Sequence, residues 1–366
     1  MEAGYLSEVR GIVGEYDLGE LVACDQDQRG TVNTSFVIMC AKDGEWDKYF
    51  LRRYKLGVQE EEIAFEHSVT QHLIAHSRLP VARVYRTQAG KSYLRRPHPV
   101  FQGEQAFYAM FEFLPGRDKY SWVDTRLTDE EVRSSARVLA EFHDAVSYLL
   151  PAGRRHEPKM RDLLPEITAS LRRAPQNNRG TPFDQYLLEH HALLLDEARA
   201  VQACLDDPRC QSLPEVVIHC DYHPGNLKFE DGRVTALFDF DWSKIDTRAF
   251  DVGLALFYFF AEWQAEMDGS LRLEPLGVFL QAYQDRLREA QGIGPLIPAE
   301  LEYLPVMIRA GNLFVLYWAM KDYFSKDVDP QEYLGYLRHN VNLIGWLRQE
   351  SNAGQLKAIC TRTVLP

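Results

Sequence analysis

The spacing of apolar and polar positions changes character about a third of the way along the chain. Residues 5–16 have the spacing of a short amphipathic helix. Three strand-like segments follow, at 20–24, 32–40 and 46–54, each rich in β-branched or aromatic residues and bounded by Gly, Asp or Asn. The linker over 25–30 and an Asp43-Gly44 turn fit an antiparallel meander. Over 58–77 the period becomes helical, with Ile63, Glu66, Val69 and Leu73 on one face. Further strand signals lie near 83–87, 92–94 and 106–113, and the last runs out through Glu112-Phe-Leu114-Pro115-Gly116. Beyond that exit the pattern is mostly helical. Thr128-Asp-Glu-Glu131 opens a helix as a capping box, with Val132, Ala136, Leu139, Phe142 and Val146 as its buried stripe. Helices are expected over 160–173, 184–206, 248–265, 271–290, 298–325 and 330–350, with an irregular tail from 351. The expected class is α+β: a strand-rich unit over 1–115 and a larger, mainly helical unit over 116–366.

Composition narrows the picture. A chain of 366 residues, 46% hydrophobic and 26% charged, is an ordinary globular protein long enough for a sizeable core. A net charge of −12 argues against nucleic acid as a partner, because phosphate backbones need clustered Lys and Arg. The six cysteines are scattered without a CxxC pair, which fits reduced thiols in the cytoplasm. The first residues lack the basic-then-apolar pattern of a signal peptide. The apolar run 254–260 is too short for a bilayer, and 304–320 is interrupted by Arg309 and Asn312, so no membrane association is expected.

Candidate chemistry concentrates in 216–241. An apolar strand enters His219-Cys-Asp221-Tyr-His223-Pro-Gly-Asn226, and Asp231-Gly232 then marks a two-residue hairpin. Folding about that turn pairs Leu227 with Ala236 and Asn226 with Leu237, and puts Asp239 just past the diagonal from Asn226. An amide and a carboxylate, with other positions left to water and phosphate, suit Mg²⁺. Asp221 is then free to orient an acceptor hydroxyl and take its proton. Asp241 reads equally as a second metal ligand or a helix cap, and Asp251 as a structural anchor. His143 on its apolar stripe reads as a core residue.

Upstream, Gly30-Thr31-Val-Asn33 sits at a strand-to-strand turn where backbone amides can approach a phosphate. Strand alternation puts Arg52 and Arg53 on opposite faces, one inward and one toward solvent. A carboxylate on an apolar helix stripe needs a partner, so Glu66 is expected to pair with Arg52. One rival reading takes His219-x-Asp221-x-His223 as a zinc hydrolase triplet. Pro224-Gly225 breaks that strand, and no second cluster of metal spacing appears.

The run His219-Cys-Asp221-Tyr-His223-Pro-Gly-Asn226-Leu, with Leu-Phe-Asp239-Phe-Asp241 and Phe250-Asp251-Val-Gly, resembles the signature of the aminoglycoside phosphotransferase/choline kinase-like superfamily. The Gly30-Thr-Val-Asn33-Thr-Ser-Phe loop resembles that of its type II homoserine kinases. The resemblance implies a bilobal protein-kinase-like fold, with a small antiparallel-sheet lobe carrying one main helix and a larger helical lobe. It implies transfer of a phosphoryl group from ATP, with Mg²⁺, to a hydroxyl of a small molecule. Carried over by position, it makes Asp221 the base and Asn226 and Asp239 the magnesium ligands. Gly30, Thr31 and Asn33 would cover the phosphates, Glu66 would supply the helix carboxylate of the nucleotide ion pair, and the backbone of Glu112 and Leu114 would hold adenine. One departure is Arg52, where the family usually has Lys; Arg53 is its register alternative. An antibiotic phosphotransferase and a nucleotide-binding pseudokinase are the alternatives, the complete Asp221, Asn226 and Asp239 set speaking against the second. The short interval from Asp239 to Asp251 leaves little room for the peptide-docking loop of a protein kinase. The acceptor is not legible: Tyr222, Trp242, Lys244, Tyr258, Trp263 and Trp318 fit an acceptor pocket or the core alike.

Overall fold

The computed structural model describes residues 2–27, 32–264 and 266–362. Gly30 and Thr31, expected to cover the phosphates, lie outside the described residues. The chain forms two compact units. The first comprises Met1–Gly116, Leu150–Arg155 and Thr235–Asp241; the second comprises Arg117–Leu149, His156–Val234 and Trp242–Pro366. The chain thus returns twice to the sheet unit after first leaving it, and the second return brings Asp239 and Asp241.

Strand alternation builds the first unit. Strands β1 (Glu20–Asp27), β2 (Thr34–Lys42), β3 (Glu45–Arg53), β4 (Leu94–Pro97) and β5 (Gln105–Glu112) form an antiparallel sheet of order β1-β2-β3-β5-β4. Asp43 and Gly44 take φ of 54° and 87°, the left-handed pair that a two-residue hairpin turn needs. That turn sets the register Ile38↔Tyr49 and Ser35↔Arg52. Helix α1 (Glu2–Val13) covers one sheet face through Val9, Ile12 and Val13, against Phe36, Ile38, Leu51 and Met110. On the other face Ile63 of α2 (Glu60–His76) packs with Tyr54, Phe107 and Phe111. The segment expected as a strand at 83–87 makes only a bridge, Val84↔Phe111. A turn follows at once, closed by Gly90 N donating to Thr87 O, and takes the chain away from the sheet before a ladder can form.

The second unit is helical: α3 (Asp129–Ala145), α4 (Met160–Arg173), α5 (Pro182–Leu205), α6 (Pro208–Gln211), α7 (Arg248–Phe260), α8 (Leu273–Arg288), α9 (Pro298–Ser325), α10 (Pro330–Leu347) and α11 (Glu350–Arg362). Thr128 caps α3 as the box predicts, its side chain and that of Glu131 each accepting from the other's backbone N–H. Every residue of α7 is buried, as its apolar run over 252–260 requires, and the two charged residues of its first turn, Arg248 and Asp251, are bonded to Glu300 and to the backbone N–H of His219. Its crossing with α9 is close. A Cβ on Gly253 would come within 2.5 Å of Met307 Cβ, so the bare glycine permits the approach. Strand β6 (Glu215–Ile218) enters this core, followed by β7 (Leu227–Glu230), β8 (Arg233–Leu237) and β9 (Lys244–Thr247). β6 pairs antiparallel with β9. The turn before β8 holds Asp231 and Gly232 at φ of 47° and 73°, and β8 then carries the chain back into the first unit. The tail expected to be irregular is the helix α11. Only Leu356 and Cys360 anchor it in the core, one turn apart, too few positions to show as a periodic stripe. Among the described residues no helix is long and apolar enough to cross a membrane.

Candidate active site

In the second unit, the loop after β6 is organised from below by Asp251, in the first turn of α7. Its two oxygens accept the backbone N–H of His219 at 2.9 Å and of Cys220 at 2.8 Å. His143 of α3 places Nε2 3.0 Å from Asp251 and Nδ1 2.7 Å from the Tyr283 hydroxyl. Burial pushes the His143 pKa below its ordinary value, so the ring is neutral. It donates from Nε2 to Asp251 and accepts from Tyr283 at Nδ1. Burial by itself would raise the Asp251 carboxyl. The hydrogen bonds from His143 and the His219 backbone outweigh it and hold Asp251 below the usual range. Asp251 is thus an anchor, and His143 is a core residue serving it.

The anchored backbone turns sharply. Cys220 takes φ of 62°, a left-handed conformation rare for a residue with a Cβ. Asp221 follows. Asn226 Nδ2 donates to its backbone oxygen at 2.9 Å and to its carboxylate at 3.0 Å. With its amide nitrogen so engaged, Asn226 presents its amide oxygen away from Asp221. His223 accepts the Gly225 N–H at Nδ1, 3.0 Å away, which leaves the proton of a neutral ring on Nε2, 3.6 Å from the Asp221 carboxylate. Burial pushes Asp221 up, but His223, His219 and Asn226 together outweigh it and keep its pKa below the ordinary value. His219 itself is fully buried, its ring against Phe142 and Tyr222. No group of three or more His, Cys, Asp or Glu side chains suited to a metal occurs among the described residues.

In the first unit, Arg52 and Arg53 part as alternation requires. Arg52 turns to the α2 face and places Nη1 2.9 Å from Glu66 and Nη2 2.8 Å from Asp239. Arg53 does not face open solvent. It pairs with Glu8 on the opposite face at 2.7 Å. The second Glu66 oxygen accepts the Tyr54 hydroxyl at 2.7 Å. Tyr54 in turn lies 3.1 Å from His67 Nε2, and His67 Nδ1 lies 2.9 Å from the Ser92 hydroxyl. Glu66 is therefore buried with both oxygens bonded. Asp239 has φ of 69° and a carboxylate 34% exposed. Two residues on, Asp241 accepts from Asn33 Nδ2 at 2.7 Å, while Asn33 Oδ1 accepts the Lys55 N–H at 3.0 Å. At the end of β5 the Glu112 N–H donates to Arg83 O at 2.8 Å, so a bound base could use only its carbonyl. Leu114 is buried just beyond.

Sequence reasoning missed three parts of these networks. Tyr54, His67 and the Asn33–Asp241 pair carry no motif, and their partners lie on other elements. The acceptor candidates also separate. Tyr222 and Lys244 are buried, the first donating to Ser135 O and the second to Pro158 O, and so belong to the core. Trp242 and Trp318 lie edge to face with centroids 4.9 Å apart, Trp263 stacks on His339, and the Tyr258 ring lies 5.3 Å from His223.

Known proteins resemble this chain over most of its length. The model of the family described as "Phosphotransferase enzyme family" matches residues 30–291. A homoserine kinase of Caulobacter sp. (strain K31) is 26% identical over 354 residues, covering 92% of this chain and 96% of that protein. A homoserine kinase of Xanthobacter autotrophicus is 25% identical over 347 residues, covering 91% and 92%. Among solved structures, a microcompartment-associated aminopropanol kinase superposes with a TM-score of 0.64 at 16% identity, covering 95% of this chain and 98% of that one. An amicoumacin kinase in complex with AMP-PNP and Ca²⁺ gives 0.65 at 15% identity, covering 94% and 95%. The α+β fold of this chain is the fold of these kinases.

Proposed function

This chain belongs to the phosphotransferase enzyme family and is a small-molecule kinase, and we propose that it moves the γ-phosphoryl group of ATP onto the hydroxyl of a small amino acid or amino alcohol of the homoserine kind. Asp221 is the base. It orients the acceptor hydroxyl and takes its proton as that oxygen bonds to the γ-phosphorus, while the bond to the β–γ bridging oxygen breaks and ADP leaves. Asn226 and Asp239 are the magnesium ligands. An amide oxygen turned away from Asp221 and a partly exposed carboxylate are hard oxygen donors, the kind Mg²⁺ takes in ones and twos. When bound, Mg²⁺ neutralises charge on the phosphate oxygens. Arg52, braced by Glu66, is the cation for the nucleotide phosphates, in a forked geometry instead of a lysine's point charge. Gly30 and Thr31 cover the phosphates, the Glu112 carbonyl and the Leu114 N–H receive adenine, and the second unit supplies the acceptor pocket.

The observation that carries this reading is the hold on Asp221. A separate buried carboxylate fixes the backbone of the two residues before it, while His223, His219 and Asn226 hold its own carboxylate below the ordinary range and so ionised. The test is ADP release with Mg²⁺ and ATP across homoserine, other amino alcohols and aminoglycosides. Turnover that prefers homoserine or a close analogue is the expected result. A preference for aminoglycosides, or no turnover with any hydroxylated acceptor, would replace it.

A further inference from the structure

The resemblance assigns Asn33 to the phosphates, but its side chain is engaged elsewhere. Nδ2 donates to Asp241 at 2.7 Å, and Oδ1 accepts the N–H of Lys55, just past the end of β3, at 3.0 Å. Both functional ends of the amide are therefore used within the first unit. Asp241 is 8% exposed, and its other oxygen, Oδ1, is buried with no hydrogen-bond partner among the described residues. A buried carboxylate with one unpaired oxygen depends heavily on the donor that its other oxygen has. That donor is Asn33. Asp241 stands two residues after Asp239, across the single residue Phe240, and Arg52 grips Asp239 at 2.8 Å. The Asp239-Phe240-Asp241 turn is thus tied to the sheet unit at both ends, by Arg52 at one and by Asn33 at the other.

We propose that Asn33 is a positioning residue, whose amide bridges Lys55 to Asp241 and thereby sets the orientation of the Asp239 carboxylate, without donating from its side chain to a phosphate. The proposal rests on the kinase reading for its kinetic consequence only. The hydrogen bond itself does not depend on that reading. Its logic predicts an exchange. Asn33→Asp sets two carboxylates against each other, while Asn33→Asp with Asp241→Asn restores an amide-to-carboxylate hydrogen bond with the donor reversed, and an aspartate at 33 still accepts the Lys55 N–H.

The test is the set Asn33→Ala, Asn33→Asp, Asp241→Asn and the double exchange, each measured for melting temperature without nucleotide or metal and for kcat and KM. Asn33→Ala should melt about 2–4 °C lower, Asn33→Asp lower still, and the exchange should return to within about 2 °C of the parent. In turnover, Asn33→Ala should lose about ten-fold in kcat with KM for ATP changed less than about two-fold, and the exchange should recover most of that loss. If Asn33 instead contacts phosphate, KM for ATP rises in Asn33→Ala and the exchange is as poor as Asn33→Asp, which overturns the proposal. An Asp241→Asn variant that is inactive and is not recovered by the exchange also overturns it, since Asp241 would then have a role of its own. If the parent protein shows no kinase activity, the kinase reading falls. The melting temperatures then decide the Asn33–Asp241 bridge by themselves, recovery in the exchange supporting it and no recovery overturning it.

Discussion

The loop that carries Asp221 and the turn that carries Asp239 are held in opposite ways. In the second unit the holding group is Asp251, a fully buried carboxylate that binds backbone N–H groups and a neutral histidine. Asp221 takes no part in that anchor. In the first unit the holding contacts fall on the turn's own acidic side chains, Arg52 on Asp239 and Asn33 on Asp241. A group that is itself the tether cannot change partners without moving the turn. A loop tethered through a different carboxylate keeps its shape while its acid changes partners. The first arrangement suits a base that is in place before substrate arrives and can change partners without losing its loop, and the second couples any change of partner at Asp239 to movement of its turn.

The sharpest test of that contrast is to remove each acid. Asp221→Asn should lower kcat by about a thousand-fold, the loss of a positioned base, with the melting temperature within about 2 °C of the parent. A collapse in stability would mean that Asp221 holds its own loop after all. Asp251→Ala should do the reverse. Three donors in a fully buried site lose their acceptor, and urea unfolding should show a loss of about 3–5 kcal/mol, whereas Asp239→Ala, at a third-exposed ion pair, should cost under about 1 kcal/mol. Equal costs would erase the distinction between the two tethers.

The adjacent arginines sharpen it further. Arg52→Ala leaves Glu66 buried without its cation, and should both destabilise the protein by about 2 kcal/mol and raise KM for ATP about ten-fold. Arg53→Ala should loosen the Glu8 and Thr34 contacts and leave nucleotide use unchanged, so a rise in KM there would reassign the role. A pH effect follows from His67, which burial and the nearby Arg52 push down to about 3. Its folded-state value is depressed, so its contribution is complete above about pH 6.5 and is lost as pH falls through the window between there and 3. Stability should therefore drop by up to about 1.4 kcal/mol per pH unit below 6.5, and His67→Gln should flatten that slope in urea midpoints taken at pH 7 and pH 5. An unchanged slope would mean that the ring is protonated in the fold.

Much of this molecule could be read locally. The Asp43-Gly44 and Asp231-Gly232 turns, the Thr128 capping box and the 298–325 helix each depend on residues within a few positions of one another, and each forms where that chemistry puts it. So does the separation of Arg52 from Arg53, because successive strand residues must point to opposite faces. Errors arose where a local pattern was weak. The 83–87 segment has strand-like residues but turns away after one bridge, and α11 has only Leu356 and Cys360 to declare itself.

The sequence by itself determined the acidic cluster, its spacing, and the phosphoryl-transfer chemistry these residue types favour, since oxygen donors and a base are properties of side chains. Tertiary structure alone decided what holds each of them. His143 lies 108 positions from Asp251, Asn33 lies 208 from Asp241, and Arg52 lies 187 from Asp239. Each contact exists only because packing of apolar faces closes the chain between them. Periodicity reports which face of an element is apolar, but carries no record of which distant element will cover it.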